Sequence, residues 1–183
     1  MNHLGTEKLE TKRLILRRFR EEDAEAMFNN WTSDDEVVKY LTWPAHSSIS
    51  VTEEILQKWV ENYNKKDYYQ WAITLKEKPS EPIGGIGVNS YDDKISMVHI
   101  GYCIGKHWWH KGITSEALQC VMNFLFEKVK AKRIESRHDP RNKYSGAVMK
   151  KCGMKYEGTL RKADKNNQGI CDASYYAMLS SDR

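Results

Sequence analysis

A strand pattern that runs through a short loop into an amphipathic helix is the feature that most constrains this chain. Residues 95–104 follow the pattern of a strand, and residues 114–130 carry apolar side chains at helical spacing. The loop between them, residues 107–117, reaches into the N-terminus of that helix, where unpaired N–H groups and the helix dipole can hold an anion such as pyrophosphate. The segment therefore predicts a helix-covered sheet with a candidate anion site at the junction.

The rest of the chain supplies further strands and helices in a defined order. Predicted strands lie at residues 9–18, 69–75, 83–88, 95–104, 133–138, 154–161 and 170–179, and predicted helices begin near residues 21, 50, 114 and 145. The order β-α-α-β-β-β-α-β-α-β-β predicts an α/β (or α+β) sandwich with a mixed sheet between helices. No linker or repeat interrupts it, so we expect one domain.

Local signals predict several element boundaries. Ser50 and Glu53 have the spacing of a capping box, which predicts the start of a helix. Residues 79–82, which begin and end with proline, predict a turn. Gly153 predicts the end of the last helix, because glycine readily adopts the left-handed conformation that closes many helices.

The charge distribution argues against a nucleic-acid partner. The chain has 29 Lys and Arg against 25 Asp and Glu, a net charge of +4, and its basic residues alternate with acidic ones near the N-terminus. A dedicated nucleic-acid binder concentrates its positive charge in a patch. We therefore expect a small-molecule or protein-surface site.

Cysteine usage and the lack of long apolar runs indicate the compartment. Cys103, Cys120, Cys152 and Cys171 form no CxxC pair and no cluster with zinc spacing. We interpret them as reduced, buried thiols, and we expect no metal site. The N-terminus lacks a signal-peptide pattern, and no apolar run approaches the roughly 18 residues that span a bilayer. These features predict a cytoplasmic protein with no membrane partner.

The loop at residues 107–117 contains residue types that suit a phosphate. Lys111 adds positive charge, and Gly112 permits a close approach or a positive φ. Thr114 and Ser115 can cap the helix, donate a hydroxyl to phosphate, or do both. The alternative is an ordinary strand–loop–helix joint capped by Thr or Ser. The loop fits neither the Walker A nor the GxGxxG pattern, so a nucleoside triphosphate or dinucleotide is not favoured.

Short motifs along nearly the whole chain resemble those of one family. They lie at residues 9–17, 22–24, 71–73, 82–84, 100–102, 109–118, 142–145, 151–154 and 157–161. In this order they resemble GNAT N-acetyltransferases, specifically the branch of the RimJ/RimL ribosomal-protein N-acetyltransferases. The resemblance implies a GNAT-like sandwich: a mixed, mostly antiparallel, twisted sheet of about seven strands flanked by about four helices. It also implies a splay between two parallel central strands.

The resemblance implies a single acetyltransferase domain over residues 1–183 and an acetyl-CoA site, with CoA as product. Residues 94–183 would bind the cofactor, and residues 1–93 would shape the acceptor side. Backbone groups at the splay would pair with pantetheine, and the loop amides would hold pyrophosphate. The implied cofactor residues are Tyr102, Cys103, Ile104, His107, His110, Lys111, Gly112, Ile113, Thr114, Ser115, Asn142 and Met149. His107 and His110 depart from the family's loop pattern, which has a basic residue or Gln and a Gly at those positions.

Acetyl transfer to an amine requires a proton acceptor and a proton donor. His99 stands where relatives often carry Glu, and an unperturbed His can accept a proton at neutral pH. Asp164 is the competing base, at the place where RimL-type enzymes carry a carboxylate, and a water molecule is the third alternative. Many relatives use a Tyr as the acid, but this chain has Met149 there. Ser145, three residues after Asn142, is the alternative that the resemblance offers.

The resemblance also predicts the reaction class. It implies acetylation of a primary amine by direct attack, with a ribosomal-protein-like N-terminal α-amine as the leading acceptor. A small amine, such as an antibiotic, polyamine or amino-acid derivative, is the alternative acceptor, and a non-catalytic acyl-CoA sensor is the alternative function. Trp43, in a loop beside Pro44, is the candidate acceptor-contacting residue. We expect a monomer or homodimer.

Overall fold

The computed structural model describes residues 1–183, which form one mixed sheet with helices on both faces. The strands are β1 (Leu9–Glu10), β2 (Leu14–Arg17), β3 (Gln70–Leu75), β4 (Lys78–Asp92), β5 (Met97–Ile104), β6 (Arg133–His138), β7 (Lys155–Asn166) and β8 (Gly169–Leu179). The α-helices are α1 (Ala24–Met27), α2 (Asp35–Val38), α3 (Ile49–Asn62), α4 (Ile113–Phe124) and α5 (Lys143–Lys151). Single π-helical segments, Phe28–Thr32 and Leu125–Val129, extend α1 and α4.

The eight strands lie in the order β1-β2-β3-β4-β5-β6-β8-β7, and every neighbouring pair is antiparallel except β5 and β6. That parallel pair keeps register over only three residue pairs, the last of which joins His99 to Glu135. Beyond it, β5 continues to Ile104 against β4, while β6 continues to His138 against β8. The predicted fold class is therefore confirmed, including the splay between two central parallel strands, with eight strands and five helices.

Hydrophobic residues form two clusters on opposite faces of the sheet. The larger has 25 buried residues and joins Trp71 and Ile100 of the sheet to Leu118 of α4. The smaller has seven and joins Ala72 to residues of α1 and α3, including Leu56. Because neighbouring residues on a strand face opposite ways, Trp71 and Ala72 separate the two layers. Helices α4 and α5 therefore cover one face, and α1 and α3 cover part of the other.

Several sequence-based boundaries differ from the structure. The predicted strand at residues 9–18 is two paired strands, because Thr11 and Leu14 close a turn between them. The predicted turn at residues 79–82 lies inside β4, and the chain turns at residues 76–77 instead. Proline is tolerated there because β5 ends opposite Gly84, so this stretch of β4 has a free edge, and its pairing with β3 is irregular.

The predicted capping box at Ser50 is also wrong. Helix α3 begins at Ile49 after Ser48, and no side chain caps it. The sequence further missed α2, whose N-terminus is capped by Asp34, which accepts hydrogen bonds from the backbone of Glu36 and Val37. In the second half of the chain, Gly153 follows α5 with φ 81°, in agreement with the predicted helix end.

All four cysteines are free thiols; Cys152 and Cys171 are buried, and Cys103 and Cys120 are half-buried. No helix combines the length and apolar character needed to cross a membrane.

Candidate active site

The splay between β5 and β6 lies at the centre of the candidate site. Ser136 Oγ donates a hydrogen bond to the Ile100 carbonyl at 2.8 Å, just past the last paired residues. Beyond this point no β-ladder joins the facing edges of β5 and β6. Backbone polar groups that lack a neighbouring strand are suited to pair with the amides of an extended ligand. Residues Tyr102, Cys103 and Ile104 follow on β5, where a pantetheine contact was expected.

Helix α5 is tied to the splay through Tyr102. The Tyr102 hydroxyl donates to the Ser145 carbonyl at 3.0 Å and lies 3.2 Å from Ser145 Oγ. Burial raises the pKa of Tyr102, so its hydroxyl stays protonated at neutral pH. Asn142 caps α5, because its Oδ1 accepts from the Ser145 backbone at 3.3 Å, and its Nδ2 has no partner within the chain. Both Asn142 and Ser145 therefore offer polar atoms beside the splay.

Met149 lies in a different environment from the one expected. Its side chain has no exposed surface and belongs to the larger core cluster. It fills the interface between α5 and the sheet, and it does not line an open groove. The sequence pattern could not distinguish these roles, because a methionine on an amphipathic helix suits both.

The loop before α4 ends in two residues with positive φ. His110 has φ 60°, and Gly112, with φ 72°, is the N-cap of α4 and has no side-chain cap. The alternative of a Thr or Ser cap is therefore wrong. Thr114 lies half-buried in the first turn, and Ser115 is buried. The first free amides of the helix, beginning with buried Ile113, remain available to an anion.

Aromatic and histidine side chains fix the rest of this loop. Trp109 Nε1 donates to the Ile104 carbonyl at 2.9 Å, which anchors the loop to the end of β5. The His110 ring packs edge-on against Tyr144 at 4.5 Å. His107 and His110 are exposed, whereas burial raises the pKa of the Cys103 thiol to about 12. Cys103 is therefore an inert, protonated thiol at neutral pH.

Cations from distant segments surround the start of α4. A cavity of about 360 Å³ is lined there by Arg13, Lys111, Gly112, Ser115, Glu116, Gln119, Lys151 and Cys152. A Cβ on Gly112 would lie 3.4 Å from Lys151 Nζ and 3.7 Å from Arg13 Nη2. Glu116 holds Arg13 in place by accepting from its Nε at 2.7 Å. The residues present thus fit a phosphate-bearing group. The sequence predicted Lys111 and Gly112 but missed Arg13 and Lys151, which lie far from this loop in the chain.

His99 is buried on β5, on the face opposite to Tyr102. Its Nδ1 lies 3.4 Å from Glu135 Oε1 on β6, and its Nε2 has no hydrogen-bond partner within the chain. Unlike Nε2 of His138, Nε2 of His99 is not fully enclosed by the protein, so solvent reaches it. Burial first, and then the nearby Arg137, lower the pKa of His99 below its ordinary value. The ring is therefore neutral near pH 7, which suits a proton acceptor.

Asp164, the competing base, forms an ion pair with Arg137. Its Oδ2 accepts from Arg137 Nε at 2.6 Å, and its Oδ1 accepts from the Lys165 backbone at 2.9 Å. Burial opposes the charge on Asp164, but the hydrogen bonds from Arg137 and Lys165 prevail and lower its pKa. A bulge in β7, where Leu160 and Asp164 pair with Ala173 and Cys171 of β8, sets its position. Asp164 lies close enough to His99 to favour the protonated imidazole.

The structure brings His99 and Asp164 together on one face, and it places Ser145 beyond the other face of β5. Trp43 lies half-buried in the loop between α2 and α3, where its carbonyl accepts from Asn167 Nδ2 at 2.7 Å. Sequence reasoning missed Glu135 and Asn167. Alternation along β6 could have placed Glu135 on the face of its strand opposite to Ile134, but not beside His99. Nothing in the sequence pattern indicated the contact of Asn167.

No group of three or more His, Cys, Asp or Glu side chains is arranged to hold a metal ion.

A splayed strand pair beside a cation-lined helix N-terminus defines an α/β protein that can hold an extended, phosphorylated cofactor. The family of acetyltransferase (GNAT) domains matches residues 13–155, so the chain belongs to the GNAT acetyltransferases. Enzymes of this family use acetyl-CoA, and this chain is an acetyl-CoA-dependent N-acetyltransferase.

Individual relatives confirm the branch as well as the family. The chain is 31% identical over 173 residues to an uncharacterised N-acetyltransferase, p20, of Bacillus licheniformis, covering 94% of this chain and 96% of the relative. It is 26% identical over 142 residues to the ribosomal-protein-serine acetyltransferase of Escherichia coli, covering 76% of each. The crystal structure of a GNAT acetyltransferase from Bacillus anthracis superposes with a TM-score of 0.84 at 27% identity, covering 96% of this chain and 99% of that one. The RimJ/RimL-like resemblance is thus confirmed.

Proposed function

We propose that this acetyltransferase modifies the N-terminal α-amine of a protein, with His99 as proton acceptor. The observation that carries the proposal is the unpartnered, solvent-reached Nε2 of a buried, neutral His99 at the strand splay. An ammonium has no lone pair, so a base must take its proton before the amine can attack. The ribosomal-protein-serine acetyltransferase of E. coli, to which the chain is similar, supports a protein as the acceptor.

The remaining residues have distinct roles in this proposal. Acetyl-CoA, when bound, supplies the activated acetyl group as a thioester. The amides at the start of α4 and the side chains of Lys111, Arg13 and Lys151 would hold its phosphates. Asn142 Nδ2 would donate to it beside the splay. Ser145 Oγ would donate a proton or a hydrogen bond to the departing sulfur, in place of any bond to the Tyr102 hydroxyl 3.2 Å away.

The acceptor is tested with a library of peptide N-termini and a panel of small amines, measured by thiol release. We expect acetyl-CoA consumption to depend on a peptide with a free α-amine and to be lost when that amine is blocked. Preferential turnover of small amines would overturn the protein N-terminus as acceptor. Binding of acetyl-CoA without release for any acceptor would favour the sensor.

The base is tested by comparing His99→Gln with Asp164→Asn. We expect His99→Gln to lower kcat by about 10²–10⁴-fold and to remove the acidic limb of the pH–rate profile. Asp164→Asn should keep that limb. The matched control is His3→Gln, because His3 hydrogen-bonds Tyr69 and Asp93 and no residue of the splay. Loss of the limb only in Asp164→Asn would assign the base to the carboxylate.

The acid is tested with Ser145→Ala. We expect kcat to fall by up to about 100-fold with the Kd for acetyl-CoA unchanged, because the hydroxyl acts on the departing sulfur. Ser180→Ala, in an exposed turn after β8, is the matched control. Full kcat in Ser145→Ala with a good acceptor would exclude this role.

A further inference from the structure

A chain of charged side chains extends away from His99 along β6. Glu135 lies beside His99 as the last pair of the parallel ladder, so the two side chains share a face. One oxygen of Glu135, Oε1, lies 3.4 Å from His99 Nδ1. The other, Oε2, accepts from Arg133 Nε at 3.0 Å and from Nη2 at 2.9 Å. Each oxygen of this carboxylate therefore has a separate partner.

Arg133 is itself held from the other side. Its Nη1 and Nη2 donate to the two oxygens of Glu157 at 2.9 and 2.5 Å. An arginine donates in a planar fork and accepts nothing, so two carboxylates fix its plane. The Glu135 carboxylate is thereby held with Oε1 turned toward the imidazole. The other charged groups that face His99 are Arg137 and Asp164, which pair with each other.

This arrangement has a consequence for the imidazole. A carboxylate has no proton to give, so its neighbour Nδ1 must carry the hydrogen, and the lone pair of the neutral ring then lies on Nε2. Nε2 is the nitrogen that solvent reaches.

We propose that Glu135, oriented by Arg133, is the positioning residue that keeps the accepting nitrogen of His99 pointed at the acceptor amine. The proposal rests on the proposed function, in which the proton moves from the amine nitrogen to His99 Nε2. Glu135 takes no proton and touches no substrate; it acts through the tautomer of His99.

The substitution Glu135→Gln makes a sharp test. Glutamine has one accepting oxygen, and Arg133 can only donate, so that oxygen should turn to Arg133. The amide NH₂ then faces Nδ1 and donates to it, which moves the ring hydrogen to Nε2. We expect long-range ¹H–¹⁵N NMR to show the Nδ1–H tautomer of His99 in the unmodified protein and the Nε2–H tautomer in Glu135→Gln. We also expect kcat to fall by about 10²–10⁴-fold with the Kd for acetyl-CoA unchanged.

Glu127→Gln is the matched control, because Glu127 also pairs with an arginine, Arg183, but on an exposed surface. It should leave the His99 tautomer and kcat unchanged. The measurement on the unmodified protein stands even if Glu135→Gln does not fold: an Nε2–H tautomer there would overturn the proposal.

Two further outcomes separate this proposal from the proposed function. If His99→Gln abolishes activity while Glu135→Gln leaves both tautomer and kcat unchanged, the positioning role of Glu135 is wrong and His99 remains the base. If Glu135→Gln inverts the tautomer but neither variant lowers kcat, the assignment of His99 as base is wrong, and the positioning role fails with it.

Discussion

Asp139 is the charged residue that the fold encloses most completely near the site. Its side chain is only 2% exposed, in the loop between β6 and α5. It accepts from Arg141 Nη2 at 2.6 Å and from Asn166 Nδ2 at 2.8 Å, and the backbone of Arg141 donates to it as well. The Arg141 guanidinium is the main reason that the pKa of Asp139 lies well below its ordinary value. This carboxylate joins the loop before α5 to the end of β7.

The depressed pKa of Asp139 predicts a pH-dependent stability. A carboxylate whose pKa is lower in the folded state stabilises the fold above its unfolded pKa of about 3.9, and that contribution is lost as the pH falls toward the folded pKa. We expect Asp139→Asn to lower the free energy of unfolding at pH 7 by about 1–3 kcal/mol and to flatten its decline between about pH 5 and pH 2. Urea unfolding at several pH values measures this.

The matched control is Asp35→Asn, because Asp35 is an exposed aspartate with no side-chain partner. It should leave stability within about 0.5 kcal/mol of the unmodified protein at every pH. Equal losses in the two variants would show that the network around Asp139 is not the source of the effect.

Helix α4 could be predicted from the sequence, but only some of the residues around its N-terminal anion site could. Apolar spacing predicted the helix, and contiguous residues predicted Lys111 and Gly112 at its start. Arg13 arrives from the turn between β1 and β2, and Lys151 from the last turn of α5. Their approach depends on the packing of the whole sheet, which no local pattern encodes. The periodicity of apolar residues predicts helices and strands well. Which residues meet at the ends of those elements depends on how the elements pack, and the sequence pattern does not show it.

The same division explains the errors in element boundaries. Proline at residues 79 and 82 indicated a turn, but a free edge of β4 accommodates it. Met149 suited a cofactor contact by its position in the chain, yet its side chain completes the core. His99 and Glu135 are 36 residues apart in sequence, and only the three-pair register of β5 with β6 makes them neighbours. Sequence could name the histidine but not its partner.

The cations at the start of α4 predict a measurable electrostatic contribution to cofactor binding. We expect Arg13→Met and Lys151→Met each to weaken the Kd for CoA by up to about fivefold, about 1 kcal/mol, at low salt. The loss should shrink as ionic strength rises, because salt screens exposed charges. Isothermal titration with CoA at two ionic strengths measures it. Lys128→Met, at the far end of the same helical segment, is the control and should leave the Kd unchanged.

At the scale of the molecule, the larger core contains residues from both of the halves that the sequence predicts. It contains Leu16 and Trp71 from the first half, and Leu118 and Ile134 from the second. The single-domain interpretation stays a prediction, and this shared core supports it: a core common to both halves favours one cooperative transition. The acceptor half is therefore expected to fold with the cofactor half and not as an independent unit.

A second connection between the halves lies at the surface. Asn167, at the turn between β7 and β8, donates from its backbone to the Leu41 carbonyl at 3.1 Å. Its Nδ2 donates to the carbonyls of Val38 at 2.9 Å and Trp43 at 2.7 Å. Trp43 packs against the smaller core cluster, as does Cys103, which shares its face of β5 with His99. Asn167 thus holds the Trp43 loop on the side of the sheet where His99 lies.

This connection predicts how the acceptor side is kept in shape. Asn167→Ala removes two side-chain hydrogen bonds but keeps the backbone bond to Leu41, so the fold should survive. Two neutral bonds together contribute roughly 1–2 kcal/mol, so we expect amide exchange at residues 38–46 to accelerate by about tenfold. The KM for the acceptor should rise, with the Kd for CoA unchanged, because the cofactor loop lies elsewhere. Gln168→Ala, whose side chain makes no hydrogen bond in the same turn, is the matched control. Equal exchange in the two variants, or a weakened Kd for CoA in Asn167→Ala, would contradict a local role on the acceptor side.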